Sequence, residues 1–157
     1  MAFGRYLEAL VSSCQAIKCD PSCLRAYQKR AGAFEAMGDI SSALEDLTHV
    51  VNSKGSSSVS REAQTHLSDL QRKGKRSRPL DAYKILGLKA SATGAAIKAQ
   101  YRKLALQYHP DKAGDQPGAD EAFKLVSQAH TILSDDTKRK RFDASQQRGC
   151  RSPTTWT

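Results

Sequence analysis

Ala95–Lys112, AAIKAQYRKLALQYHPDK, is the stretch whose reading decides the fold. Ile97, Tyr101, Leu104 and Tyr108 recur at spacings of four, three and four, which puts them on one face of an α-helix with Ala105 beside them. That face is expected to be buried. Lys98, Arg102 and Lys103 fall on the opposite side, where a solvated basic surface is expected. Pro110 ends the helix for two reasons: it has no N–H to give, and its ring drives His109 out of the α region. His109 and Asp111 are therefore expected at the tip of a turn. Taken alone these features say little, because basic helix faces are usually just solvated and His-Pro-Asp could close any helix. Their meaning comes from the rest of the chain.

The chain has 157 residues and a mass of 17.2 kDa, room for one ordinary domain or two small ones. With 39% apolar and 26% charged residues it is globular in type, and a net charge of +9 makes it clearly basic. That charge suits nucleic acid, an anionic membrane or an acidic protein surface, and does not choose among them. No apolar run approaches the length that crosses a bilayer, and Met1-Ala-Phe-Gly-Arg-Tyr lacks the regions of a secretory signal. The expectation is a soluble intracellular protein with no membrane contact. Cys14, Cys19 and Cys23 form no CxxC pair, and only Cys150 remains to complete a ligand set. Helix packing explains these cysteines better, so neither a metal nor a cofactor is expected.

From the N-terminus, Gly4 to Pro21 and Leu24 to Val51 read as helix, turn, helix, turn, helix. Gly4 with Ala9 returns as Gly38 with Ala43, an offset of 34 residues. A period of that length with small residues at fixed places resembles tetratricopeptide repeats. In that resemblance Pro21 closes one repeat; the next has Tyr27 near its start, Ala31 at the tight helix crossing and Phe34 one turn later. Gly38-Asp39 makes the turn, and Ala43, Leu47 and Val50 line the second helix. Small residues let helices approach, and larger ones pack each helix on the next. Residues 1–52 hold one and a half such repeats, where about three are needed for independent stability. Either the chain is a truncated or spliced form of a longer repeat protein, or its repeats borrow support from the next helix. The resemblance also makes Arg25 and Lys29, one turn apart on a first repeat helix, candidate contacts for the acidic C-terminal tails of chaperones.

Residues 53–79 are read as a connection. Asn52 to Ser60 is a Ser/Gly-rich loop, and Arg61 to Lys73 is a helix whose Ala63, Leu67 and Leu70 would cap the last repeat. Lys73-Gly-Lys-Arg-Ser-Arg-Pro79 is a basic linker, better read as a solvated hinge than as an import signal or RNA patch.

Five motifs then follow in order: Asp81-Ala-Tyr-Lys-Ile-Leu-Gly-Leu, Ile97 through Lys112, Ala122-Phe-Lys-Leu-Val, Ile132-Leu-Ser-Asp and Arg141-Phe-Asp. Together they resemble the J domain of DnaJ-type co-chaperones, over residues 80–144. The whole chain is then expected to be all-α, a partial tetratricopeptide array followed by a J-domain helical hairpin. Leu80 to Leu88 gives a first helix with Tyr83 and Leu86 in the core and Gly87 as a left-handed cap. Ser91 is the expected N-cap of the long helix, and Gly94-Ala-Ala stands where the family carries acidic residues, so a frayed start is expected. Ala113 to Gly118 is a loop, and Ala119 to Leu133 is a helix returning Phe123, Val126, Ala129 and Leu133 to the core. His130 stands where the family has an aromatic residue and is read as a packing imidazole. Asp135 to Ala144 is a short basic helix, and residues 145–157 are expected to be a disordered tail with Trp156 exposed.

The resemblance implies a function. J domains bind DnaK-type, 70-kDa heat-shock chaperones and stimulate their ATP hydrolysis, aiding protein folding. On that pattern Lys98, Arg102, Lys103 and Lys112 steer the domain onto an acidic chaperone surface, and Asp111 bonds a chaperone arginine. Pro110 fixes the turn, and His109 orients it. Gln107 stands where many members have a basic residue, which would weaken the contact. The effect is allosteric, favouring one state of the partner. No enzyme activity is expected, because the sequence has no nucleophile–base pair, phosphate loop or metal set. The alternative is a basic RNA-binding protein, or a scaffold with a non-stimulating J-like domain; against RNA, Tyr83, Tyr101, Tyr108 and Phe123 are all assigned to core positions. No Gly/Phe-rich segment or cysteine-rich zinc module follows the J region, so direct client binding is not expected. Cytosol is the expected location, with the nucleus as the alternative.

Overall fold

The computed structural model describes residues 5–53, 58–74 and 80–149. Among these residues all regular structure is helical. In the N-terminal half, α1 (Arg5–Cys19) packs on α2 (Leu24–Met37), α2 on α3 (Ile40–Asn52) and α3 on α4 (Ser58–Gly74). Leu7, Leu10, Val11 and Cys14 make the helical stripe that α1 buries. Ala31 and Ala43, both fully buried, let α2 and α3 approach, while Phe34, Met37, Leu47 and Val50 fill the space between layers. This is the tetratricopeptide-like packing that the 34-residue offset implied.

The α2–α3 turn depends on Gly38, whose φ of 87° lies in the left-handed region that side chains disfavour. Its N–H donates to the Glu35 carbonyl at 3.0 Å, and the Asp39 N–H donates to that of Phe34 at 2.9 Å. The Asp39 carboxylate then accepts from the Ser42 N–H at 3.3 Å and opens α3. Between these helices the guanidinium of Arg30 makes a two-pronged bond to buried Asp46, Nε–Oδ2 2.8 Å and Nη2–Oδ1 2.7 Å. It also lies 5.4 Å from the centre of the Tyr27 ring.

Helix α4 buries Ala63, Leu67 and Leu70, the stripe expected of a capping helix. It begins at Ser58 rather than Arg61, because Val59 adds an apolar contact one turn before Ala63. Residues 54–57 of the expected Ser/Gly-rich loop lie outside the described residues. Most of the basic linker, at residues 75–79, lies outside the described residues, as do Cys150 and Trp156.

The C-terminal half is a hairpin of α6 (Gly94–Gln107) and α8 (Ala119–Ser134), joined through the one-turn helix α7 (Pro110–Ala113). Short α5 (Ala82–Leu86) and terminal α9 (Asp136–Gly149) pack on α8. Ile97, Leu104, Tyr108, Ala122, Leu125, Val126, Ala129 and Leu133 form its core. α5 is shorter than the expected Leu80–Leu88, since the Asp81 carboxylate caps it by accepting from the Lys84 N–H and Gly87 closes it in the left-handed conformation. The N-cap of α6 is Thr93 rather than Ser91. Ser91 sits in a turn in which the Ala92 N–H donates to Lys89, and extended Thr93 accepts from the Ala96 N–H at 3.3 Å. A hydroxyl thus caps the start of α6 even though its first turn carries no acid.

α9 runs on to Gly149, so the helix passes its expected end at Ala144 and the expected tail begins inside it. Ser145-Gln-Gln-Arg holds no helix breaker, and Phe142 anchors this helix in the core. At its start the Asp135 carboxylate accepts from the Lys138 and Thr137 N–H groups, which hold it below its ordinary pKa. α9 is tied back to α5: the Tyr83 hydroxyl donates to Asp143 at 3.0 Å, and Arg139 donates to that hydroxyl at 2.9 Å and to the Ala92 carbonyl at 2.6 Å.

The halves meet in a seam. The Asp81 N–H donates to the Met37 carbonyl at 2.8 Å, α2 touches α5, and α1 lies against α8. No helix among the described residues is long and apolar enough to cross a membrane.

Candidate functional site

The candidate site is built where α6 gives way to α7. Tyr108 is the last residue of the α6 turn; it is buried, and its N–H donates to the Leu104 carbonyl at 2.9 Å. Burial, with the charge of Glu8 nearby, raises the pKa of its phenol above the ordinary value. His109 then becomes extended, as a residue before proline must, and serves as the N-cap of α7. Its Nδ1 accepts from the Asp111 N–H at 3.1 Å, and its carbonyl accepts from the N–H groups of Lys112 and Ala113. The expected turn is therefore the opening of a one-turn helix whose own histidine caps it.

That bond determines the imidazole's role. Nδ1 must be unprotonated to accept, so in the neutral ring the proton sits on Nε2, which is then a donor. The ring also stands edge-on to Phe123 of α8, with centroids 5.8 Å apart and planes at 82°. α8 thus fixes the orientation of His109. Asp111 is exposed, and its carboxylate makes no hydrogen bond or ion pair among the described residues. A carboxylate held at a fixed place with its acceptor sites open is suited to a charged donor arriving from outside.

Lys98, Arg102, Lys103 and Lys112 are exposed, and none pairs with a carboxylate among the described residues. Leu106 is a further surface residue, missed in reading the sequence. It is the exposed large hydrophobic residue of the described chain, at 57% exposure, one turn beyond Arg102 on α6. Its position off the 97-101-104-108 stripe was the available signal: a leucine outside the buried stripe faces solvent. Cations around an apolar side chain have the composition that suits a protein-docking face.

Arg25 and Lys29 are exposed on α2, which packs on α1, α3, α4 and α5, whereas Lys98, Arg102 and Lys103 are on α6, which packs on α5, α7 and α8. His130 stacks on Tyr101 with centroids 4.0 Å apart. Among the described residues no group of three or more His, Cys, Asp or Glu is placed to hold a metal ion. Cys14 is buried, Cys19 is exposed and Cys23 is half-buried.

Comparison with known proteins bears on this geometry. The DnaJ domain family matches residues 81–143, which span the site. The chain is 42% identical over 137 residues to the DnaJ homolog subfamily C member 7 homolog of Schizosaccharomyces pombe, covering 87% of this chain and 28% of that protein. It is 35% identical over 144 residues to the DnaJ protein P58IPK homolog of Arabidopsis thaliana, covering 91% of this chain and 29% of that one. Over 63 residues it is 56% identical to the chaperone protein DnaJ of Chlorobium phaeobacteroides, covering 40% of this chain and 16% of that protein. The chain therefore spans under a third of the length of these relatives. No solved structure matches it.

Proposed function

From the premise that residues 81–143 belong to the DnaJ domain family, we propose that this chain is a co-chaperone that docks on a DnaK-type ATPase and stimulates ATP hydrolysis. The observation that carries the reading is Asp111, exposed and without a partner among the described residues, on a turn capped by His109 and flanked by the basic face of α6. Lys98, Arg102, Lys103 and Lys112 bring the domain to an acidic surface, and Leu106 adds apolar contact at the centre. Asp111 then accepts from a chaperone cation, with His109 Nε2–H as a second donor. The chain contributes no catalytic group; the partner's own ATPase does the chemistry, and docking favours its active state. Arg25 and Lys29 form a separate surface for acidic tails. Cytosol or nucleus suits such work.

The ring positions favour this reading over RNA binding. Tyr83 and Tyr108 are buried, Tyr101 is stacked on His130, and Phe123 faces His109, which leaves those four rings unavailable as a stacking platform. The test is single-turnover ATP hydrolysis by a DnaK-type chaperone with the native chain and with Asp111→Asn. Acceleration by the native chain alone supports the proposal. A chain that accelerates no DnaK-type ATPase would sink it.

A further inference from the structure

The loop that leaves the docking turn does not stand alone. Between α7 and α8 the backbone passes through Gly114 and Gly118, at φ 53° and 83°, and α1 of the other half lies against its far end. A Cβ placed on Gly118 would lie 2.8 Å from both Cβ and Sγ of Cys14 and 3.4 Å from the Cα of Val11. The absence of a side chain there is what lets α1 come this close. Around that contact Lys18 Nζ donates to the Asp115 carbonyl at 3.4 Å. The Cys14 thiol donates to Glu121 at 3.6 Å and accepts from Arg30 at 3.6 Å. Arg30 is itself held by Asp46, so the polar network of the repeats runs through Cys14 into the first turn of α8. A cavity of about 330 Å³ opens in the same seam, between Phe34 and Asp39 on one side and Leu80, Glu121 and Leu125 on the other.

We propose that the tetratricopeptide-like half is a positioning element for the docking turn: α1, through Val11, Cys14 and Lys18, braces the 114–118 loop and so holds α7, with Asp111, ready for the chaperone. The inference rests on the chaperone-docking reading above and adds the regulation of that site. The physical argument is preorganisation. A short segment with two glycines at positive φ loses much conformational freedom when it is fixed, and a brace that fixes it beforehand removes that cost from docking. Bracing therefore acts on affinity and leaves the maximal rate of the docked complex unchanged. Whatever occupies or shifts the repeats reaches the docking turn through α1.

The obstacle to a Cβ at Gly118 is Cys14 of α1, so removal of the Cys14 side chain supplies the control for that clash. In the full chain, Gly118→Ala is expected to speed amide exchange in both α1 and the 115–118 loop. It should raise the half-maximal concentration for ATPase stimulation about three- to tenfold at unchanged maximal rate. Cys14→Gly should relieve much of the Gly118→Ala shift. Glu121→Arg, an exposed substitution that sets a cation against Arg30, is expected to loosen the seam without disturbing either core. A Gly118→Ala shift that Cys14→Gly leaves unchanged, or exchange in α1 that ignores both Gly118→Ala and Glu121→Arg, would overturn the brace while the native chain still stimulates. A native chain that does not stimulate overturns the docking reading, and the brace with it.

Discussion

His130 on α8 lies flat against Tyr101 on α6, with ring centroids 4.0 Å apart and planes at 20°. The pair joins the two long helices of the hairpin across a half-buried edge of its core. Burial, with the charge of Lys98 nearby, holds the imidazole below its ordinary pKa of 6.5. The unfolded chain therefore takes up this proton first. Its contribution to stability is complete above pH 6.5 and is lost as pH falls through the unfolded and then the folded value. His130→Phe keeps a ring on Tyr101 and removes the proton. Melting temperature is expected to drop less for this variant than for the native chain between about pH 7.5 and pH 5.5, a difference that thermal melts at the two values would measure.

Arg30→Met leaves the Asp46 carboxylate buried without its cation. The expected loss is about 3 kcal/mol or more, read from urea denaturation of the full chain. Arg30→Met with Asp46→Leu should recover most of it, because two apolar side chains leave no charge uncompensated. A double variant no more stable than the single one would mean that the pair itself carries the stability.

Leu106→Ser removes an apolar side chain from the surface and leaves the core untouched. Melting temperature should stay within about 1 °C, as for surface changes generally. The half-maximal concentration for chaperone stimulation should rise about tenfold, the effect of losing one well-buried apolar contact at an interface.

Lys98→Ala with Lys103→Ala should reduce the dependence of docking on salt more than it reduces docking at high salt. Exposed cations steer association, and their fields are screened within about 8 Å at physiological ionic strength. Association rates measured across a salt series check this; unchanged slopes would mean that these lysines do not face the partner.

Much of this architecture was legible in the chain because its signals are local. The stripe of Ile97, Tyr101, Leu104 and Tyr108 needs only the helical period, and Gly38 and Gly87 close helices because left-handed backbone suits glycine. The choice between Ser91 and Thr93 as cap was not legible, since both are hydroxyl residues and only the turn at Lys89–Ala92 decides. The extent of α9 was misread for a related reason: a polar run without breakers folds or frays according to what Phe142 finds to pack on. Least legible was the contact of Cys14 with Gly118 and Glu121. It joins positions about a hundred residues apart, and no period or motif in either segment reports the other.

The hydroxyl of Tyr83 resting on Asp143 has a consequence for how the domain is attached. These residues lie at the two limits of the 81–143 segment, so the polypeptide enters and leaves the DnaJ domain at one point, like a bead hung from a single knot. Beside that knot the Asp81 N–H donates to the Met37 carbonyl, and α1 meets the loop that opens α8, so the half before Asp81 touches the domain at its entry and again next to its working turn. A domain whose two ends are tied together is suited to insertion into a host loop.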